Sequence, residues 1–216
     1  MKSPSDIRVY PAGQASRAAY ILAHGAGAGQ RSPFIVTFAG ALAALGVDVV
    51  TFDFLYMEEG RRLPDRAPQL EATYRAVIED VLQKRGTAPF SLFIGGKSMG
   101  GRIATQVAAA DPTLPIAGLV LLGYPLHPPG QPERRRDAHL PAVKRPMLFV
   151  QGSRDAFGTP AELEPILASL EPKPTLHVID RGDHSFKRGG RDAKAQAATF
   201  DEIQRDVVSW MSAIAG

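Results

Sequence analysis

The sequence predicts an α/β fold: a doubly wound, mostly parallel sheet with helices on both faces. Three observations carry this expectation. Short apolar runs alternate with longer amphipathic segments along the chain. The apolar runs are nearly continuous, as in strands covered on both sides. Glycine-rich joints follow several of these runs, where a strand would hand over to a loop or helix.

Taken in order, "AAYILAH" reads as a strand ending at His24. "PFIVTFAGALAALG" reads as a helix, with Pro33 suited to its first turn and Gly46 to its stop. "VDVVTFDF" is the next strand, rich in β-branched and aromatic residues. "QLEATYRAVIEDVLQKRG" carries a helical stripe of Leu70, Tyr74, Val77, Ile78, Val81 and Leu82, closed by Gly86. The strand "FSLFIGG" then meets a helix starting near Met99. "IAGLVLLGYP" and "RPMLFVQGS" are further strands, and "PAELEPILASLE" is a helix. "TLHVID" is a last short strand. "FDEIQRDVVSWMSAIAG" closes the chain as a helix with Ile203, Val207, Trp210 and Ile214 on one face. The irregular stretch Tyr124–Lys144 is long enough to expect a functional or mobile role, yet too short for a helical cap domain.

Composition narrows the function classes. The 216 residues suit one α/β domain spanning 1–216. No apolar run approaches the ~18 residues of a membrane helix, and "MKSPSDIRVYPAG" lacks the apolar core of a secretory signal. The absence of cysteine excludes disulfides, thiolate metal sites and a cysteine nucleophile, and fits a cytoplasmic protein. A net charge of +3 argues weakly for nucleic-acid binding. The run "ERRRD" (Arg134, Arg135, Arg136), with acids on both sides, reads as a solvated loop.

The stretch "SLFIGGKSMGG" contains G-x-S-x-G centred on Ser98. A tight strand-to-helix turn strains its central residue and demands small neighbours two positions away. Gly96 and Gly100 meet that demand. Such a turn would hold Ser98 above the sheet edge and set the Met99 N–H at a helix N-terminus, where positive potential accumulates. This pattern resembles the nucleophile elbow of the α/β-hydrolase fold. A serine hydroxyl is a poor nucleophile at neutral pH, so a base and an orienting acid must follow.

In that fold they follow in the order acid, then histidine. Asp155 in "FVQGSRDAFGTP" and His184 in "VIDRGDHSF" fit, each in a loop just after a strand. Asp180 and Asp183 are rival acids, but Asp183 lies too close along the chain to orient its neighbour's imidazole easily. His177 falls within a strand run. The glycines of "LAHGAGAGQ" (Gly25, Gly27, Gly29) let backbone N–H groups face a developing alkoxide. Ala26 rather than Gly27 is expected to form the oxyanion hole with Met99. "GAGAG", with Asp48 and Asp53 about twenty residues on, also resembles part of a dinucleotide fingerprint, although the full G-x-G-x-x-G is missing. Gly25, Lys97 and His127 are candidate substrate-binding residues. Lys97 could attract anionic substrates, and Arg102 with the loop arginines would strengthen that reading if they converge in space.

Together, "LAHGAGAG", "GGKSMGGR", "GLVLLGYPLHPPGQPE", "QGSRDAFGT" and "GDHSF" resemble the small α/β-hydrolase family related to dienelactone hydrolases. That family includes hydrolase-like domains of a testis-expressed protein and of a histone acetyltransferase complex subunit. The resemblance runs from about Ile21 to about Trp210. It implies the α/β-hydrolase fold, with Ser98, Asp155 and His184 at the triad positions. The chain differs from dienelactone hydrolases in carrying serine where they carry cysteine. The expected function is a serine hydrolase acting on a small ester or thioester, a carboxylesterase or thioesterase, with no metal or organic cofactor required and no nucleic-acid or membrane partner. The alternative is a catalytically weak protein-interaction module.

Overall fold

The computed structural model describes residues 4, 6–13, 16–86, 89–189 and 193–216. Met1, Lys2, Ser3 and Ser5 of the N-terminal stretch lie outside the described residues. The elements are β1 (Ile7–Tyr10), β2 (Ala18–Ala23), α1 (Pro33–Ala44), β3 (Asp48–Phe52), α2 (Leu55–Glu58), α3 (Ala67–Arg85), β4 (Ser91–Lys97), α4 (Met99–Ala110), β5 (Gly118–Leu122), β6 (Met147–Gly152), α5 (Pro160–Leu167), β7 (Thr175–Ile179) and α6 (Ala193–Ala215). A short 3₁₀ turn, Leu140–Ala142, interrupts the long loop.

The strands form one seven-stranded sheet in the order β1-β3-β2-β4-β5-β6-β7. Only β1 runs antiparallel, against β3. The other pairings are parallel. The chain winds outward from β2 to β3, then returns to lay β4 on the other side of β2. This reversal opens a crevice at the C-terminal ends of β2 and β4, where ligands bind in open α/β sheets.

Alternate strand residues face opposite layers. Ile21, Ile94, Leu119 and Phe149 pack under α3, α4 and α5. Tyr20, Leu22, Phe93, Val120 and Leu148 pack under α1 and α6. Both faces are covered, which is why the strands read as continuous apolar runs. Fully burying each large side chain contributes roughly 1.5–3 kcal/mol.

Three departures from the expectation have local causes. The strand β1 is four residues long and half exposed, so its pairing with β3 leaves almost no pattern in "IRVY". The helix α6 begins at Ala193 rather than Phe200, because "AKAQAAT" is a strong helix former that buries little and so lacks a stripe. The buried face of α6 runs through Ile203, Val207 and Met211, with Trp210 half-buried and Ile214 37% exposed. The helical angle of Ile214 matches that face, so its position in the last turn exposes it.

Close backbone approach decides the centre of the sheet. A Cβ on Gly96 would stand 2.3 Å from the Ala23 carbonyl oxygen, and one on Gly100 would stand 2.5 Å from the same atom. The β4–α4 turn therefore rests directly on the backbone of β2. Gly100→Ala is expected to destabilise the protein by about 2 kcal/mol or more, through overpacking against an immovable backbone. Gly40→Ala, in α1 with nothing within 4 Å of the new methyl, is expected to stabilise it by about 0.5–1 kcal/mol. Urea unfolding of both variants against the parent protein measures the contrast.

Candidate active site

Ser98 follows β4 directly and precedes the first residue of α4. Its backbone has φ 50° and ψ −115°, a region that a side chain enters at a cost of about 1–3 kcal/mol. One long-range and one helical hydrogen bond hold it there. The Ser98 N–H donates to the Leu122 carbonyl at 3.0 Å, and the Arg102 N–H donates to the Ser98 carbonyl at 3.1 Å. Behind the turn, the Tyr74 hydroxyl accepts the Gly95 N–H at 2.9 Å and reaches the Gly95 carbonyl at 2.7 Å. The residue before Ser98 thus ends a pinned strand, and the one after it opens a helix.

Asp155 lies in the loop between β6 and α5, and His184 in the loop after β7. The two loops are bonded to each other: the Arg154 N–H donates to the Gly182 carbonyl at 2.8 Å. The His184 Nδ1 sits 2.8 Å from Asp155 Oδ2 and 3.0 Å from Oδ1. A carboxylate accepts, so Nδ1 carries the proton and Nε2 is left to accept from Ser98 Oγ at 2.8 Å. The Asp155 side chain is fully buried. Its charge is answered by the Phe157 N–H at 2.8 Å and the Gln151 side-chain amide at 2.9 Å as well as by His184. The Phe157 ring stacks on the imidazole at 4.1 Å between centroids. The rival Asp183 is occupied by the Ser185 and Lys187 N–H groups of its own loop. Asp180 is exposed and faces Arg181. His177 lies in β7 beside Asp206.

The loop after β2 is held by a buried histidine. The His24 Nδ1 lies 2.7 Å from the Gly25 carbonyl, which can only accept, so Nδ1 is protonated. The Nε2 then accepts the Phe54 N–H at 3.2 Å. Burial lowers the His24 pKa, keeping the ring neutral and this arrangement intact. The Gly27 N–H is taken by the Tyr56 hydroxyl at 3.0 Å. Among the described residues the Ala26 N–H has no acceptor, and the Met99 N–H, as the first of α4, has none within its helix. Asp53, one of the acids weighed for a dinucleotide site, accepts the Gln30 N–H at 2.6 Å and fixes the same loop.

Two pockets meet at Ser98. One, of about 390 Å³, is lined by Gly25, Ala26, Phe34, Lys97 and His184 among others. The second, of about 270 Å³, shares Ser98, Ala26 and Phe157 with it. Gly25 and Lys97 thus line the larger pocket. His127 does not line either pocket. It is buried, with Nδ1 2.8 Å from the Pro128 carbonyl and Nε2 3.1 Å from Glu162, and these partners turn it away. Glu162 also closes the capping box at Thr159 that starts α5.

Lys97 is almost fully buried, and its Nζ donates to the His184 carbonyl at 2.6 Å. It lies over Phe34 and Phe186, at 5.8 and 5.5 Å from the ring centroids. Burial pulls its pKa down from 10.5 to about 8, against the opposing pull of Asp155 and Asp183. Between pH 8 and 10.5 the native state therefore binds fewer protons than the unfolded chain, and this group's contribution to stability rises with pH. Below pH 8 the charge costs the fold roughly 3 kcal/mol. Relative to Lys97→Met, the parent protein is expected to gain up to about that amount from neutral pH to 10.5. Urea titrations of both proteins across this range read the gap, and a flat gap would show that the ammonium is well solvated.

With this geometry in place, comparison with known proteins gives a consistent result. A family model described as an alpha/beta hydrolase domain matches residues 16–212. Among solved structures, an α/β serine hydrolase without lid from Xanthomonas campestris superposes with a TM-score of 0.73 at 23% identity, covering 95% of this chain and 88% of that one. The dienelactone hydrolase of Anabaena variabilis gives 0.72 at 23% identity, covering 92% and 88%. Est1E of Butyrivibrio proteoclasticus, solved with ferulic acid bound, gives 0.73 at 15% identity, covering 96% and 95%. The structures share the fold, and the match over nearly the whole sequence shows that the chain belongs to the alpha/beta hydrolase domain family.

Proposed function

We propose that this protein is a serine hydrolase that cleaves a small ester or thioester through an acyl-enzyme on Ser98. The observation that carries the reading is the unbroken hydrogen-bonded line from Ser98 Oγ through His184 to Asp155, at 2.8 Å on each side of the imidazole. Ser98 Oγ attacks the substrate carbonyl carbon while His184 Nε2 takes its proton. The carbonyl π electrons move to oxygen, where the Ala26 and Met99 N–H groups receive the negative charge. Each such donor is worth about 3–4 kcal/mol in acyl transfer. Collapse of the tetrahedral adduct expels the alcohol or thiol, which takes the proton from His184. Water then attacks the acyl carbon and gives a proton to His184, and His184 returns that proton to Ser98 Oγ as the second tetrahedral adduct collapses to the acid.

Asp155 acts without taking a proton, by fixing the tautomer and stabilising the imidazolium. The fixed N–H groups of the β2 loop and the α4 N-terminus support the oxyanion assignment, because among the described residues neither has an acceptor to give up. No step requires a metal or an organic cofactor.

A fluorophosphonate probe is expected to label Ser98, and p-nitrophenyl acetate and butyrate are expected to be hydrolysed. Ser98→Ala and His184→Ala should abolish labelling, and Asp155→Asn should lower kcat by about 10⁴-fold. A folded protein that neither labels nor turns over these esters would favour an interaction module instead.

A further inference from the structure

The second pocket beside Ser98 brings together two arginines from separate parts of the chain. Arg102 comes from α4, one turn after Ser98, and Arg136 comes from the long loop between β5 and β6. Among the described residues, no carboxylate lies within ion-pair distance of either. The Arg102 Nη1 reaches only the neutral Gln106 amide, at 3.3 Å, and its Nε is buried with no partner. Glu71 acts on Arg102 only through space. Among the described residues the one acid lining the pocket, Asp65, is paired with Arg61 at 2.7 Å.

Arg136 differs from its neighbours in the basic run. Arg134 bonds to Gln131 and Arg135 pairs with Asp137, both at the surface. The backbone of Arg136 is fixed at both ends: its N–H donates to the Leu126 carbonyl at 2.8 Å, and its carbonyl accepts the Tyr124 hydroxyl at 2.7 Å. A held backbone presents its guanidinium to the pocket. Burial, and then the nearby Arg102 charge, lower the Arg136 pKa, so the two cations are close enough to repel. Two half-buried guanidinium groups without a counter-charge are costly, and a bidentate anion offsets that cost.

We infer that the pocket formed by Arg102 and Arg136 binds an anionic oxygen group, a carboxylate or phosphate, carried by the substrate a short distance from the scissile carbonyl. This rests on the serine-hydrolase reading and adds a substrate class to it. The less polar part of the substrate then occupies the larger pocket, against Pro33, Phe34 and Ile35.

Two matched ester pairs test this: mono-p-nitrophenyl adipate against p-nitrophenyl hexanoate, and 4-acetoxybenzoate against its methyl ester. The first places the anion on the acyl side, the second on the leaving group. In at least one pair, kcat/KM is expected to favour the anionic ester by about tenfold or more, the worth of one charge-assisted contact. Arg136→Gln, whose backbone bonds survive the change, should collapse that ratio, and Arg102→Gln should do so independently. Circular dichroism confirms that each variant is folded. Hydrolysis of the neutral esters without preference in either pair overturns this inference and leaves the hydrolase reading standing. A preference that survives both substitutions overturns the assignment to these arginines. If the parent protein neither labels with fluorophosphonate nor cleaves any of the four esters, both readings fall together.

Discussion

The site depends on one steric fact: nothing grows from Gly96 or Gly100 toward the Ala23 carbonyl. That gap lets the β4–α4 turn settle onto β2. The settled turn forces Ser98 to φ 50° and lifts its side chain out of the sheet edge. The same turn starts α4, so the Met99 N–H has no acceptor within its helix and the helix N-terminus points where the hydroxyl points. Any atom inserted between the strands would move the serine relative to His184. In reacting systems a displacement near 1 Å can cost about 10²-fold in rate.

Around that point the molecule distributes charge unequally. Asp155 is buried but fully answered, by one imidazole, one backbone N–H and one side-chain amide. Lys97 is buried too, and its ammonium is spent on the His184 carbonyl and two aromatic faces. It therefore braces the histidine loop from behind, which a point charge aimed at solvent could not do. Arg102 and Arg136 are the contrast, since no acid of the described chain meets them. The site holds cations of two kinds, one satisfied within the protein and one not.

The sheet was readable because its strands are covered on both sides, and a strand so covered leaves no polar position to break its apolar run. The stripe from Leu70 to Val81 was readable for a similar reason, since one face of α3 is buried. The strand β1 and the first turns of α6 escaped because neither buries enough to leave a pattern. The serine, acid and histidine stood out by order and by their place after strands. Gln151, Phe157, His24 and Tyr56 gave no such signal. Gln151 bonds Asp155 only four residues on but also accepts the Tyr124 N–H from 27 residues away. The others act through a partner distant in sequence or through ring stacking, and neither periodicity nor a motif marks such contacts. His127 misled for the same reason: its partner Glu162 sits 35 residues away.

Local chemistry, written in consecutive residues, settled the fold class, the strained turn at Ser98 and the glycine-rich loop after β2. These follow from size, backbone freedom and apolar spacing, which act over a few positions. Tertiary structure alone decided that Ser98 and His184, 86 residues apart, stand at 2.8 Å. It also decided that Tyr56 takes the Gly27 N–H and leaves that of Ala26, and that one arginine of three turns inward. Hydrogen bonds and charge pairs of this kind are made between elements, and their partners exist only once the sheet has brought the elements together.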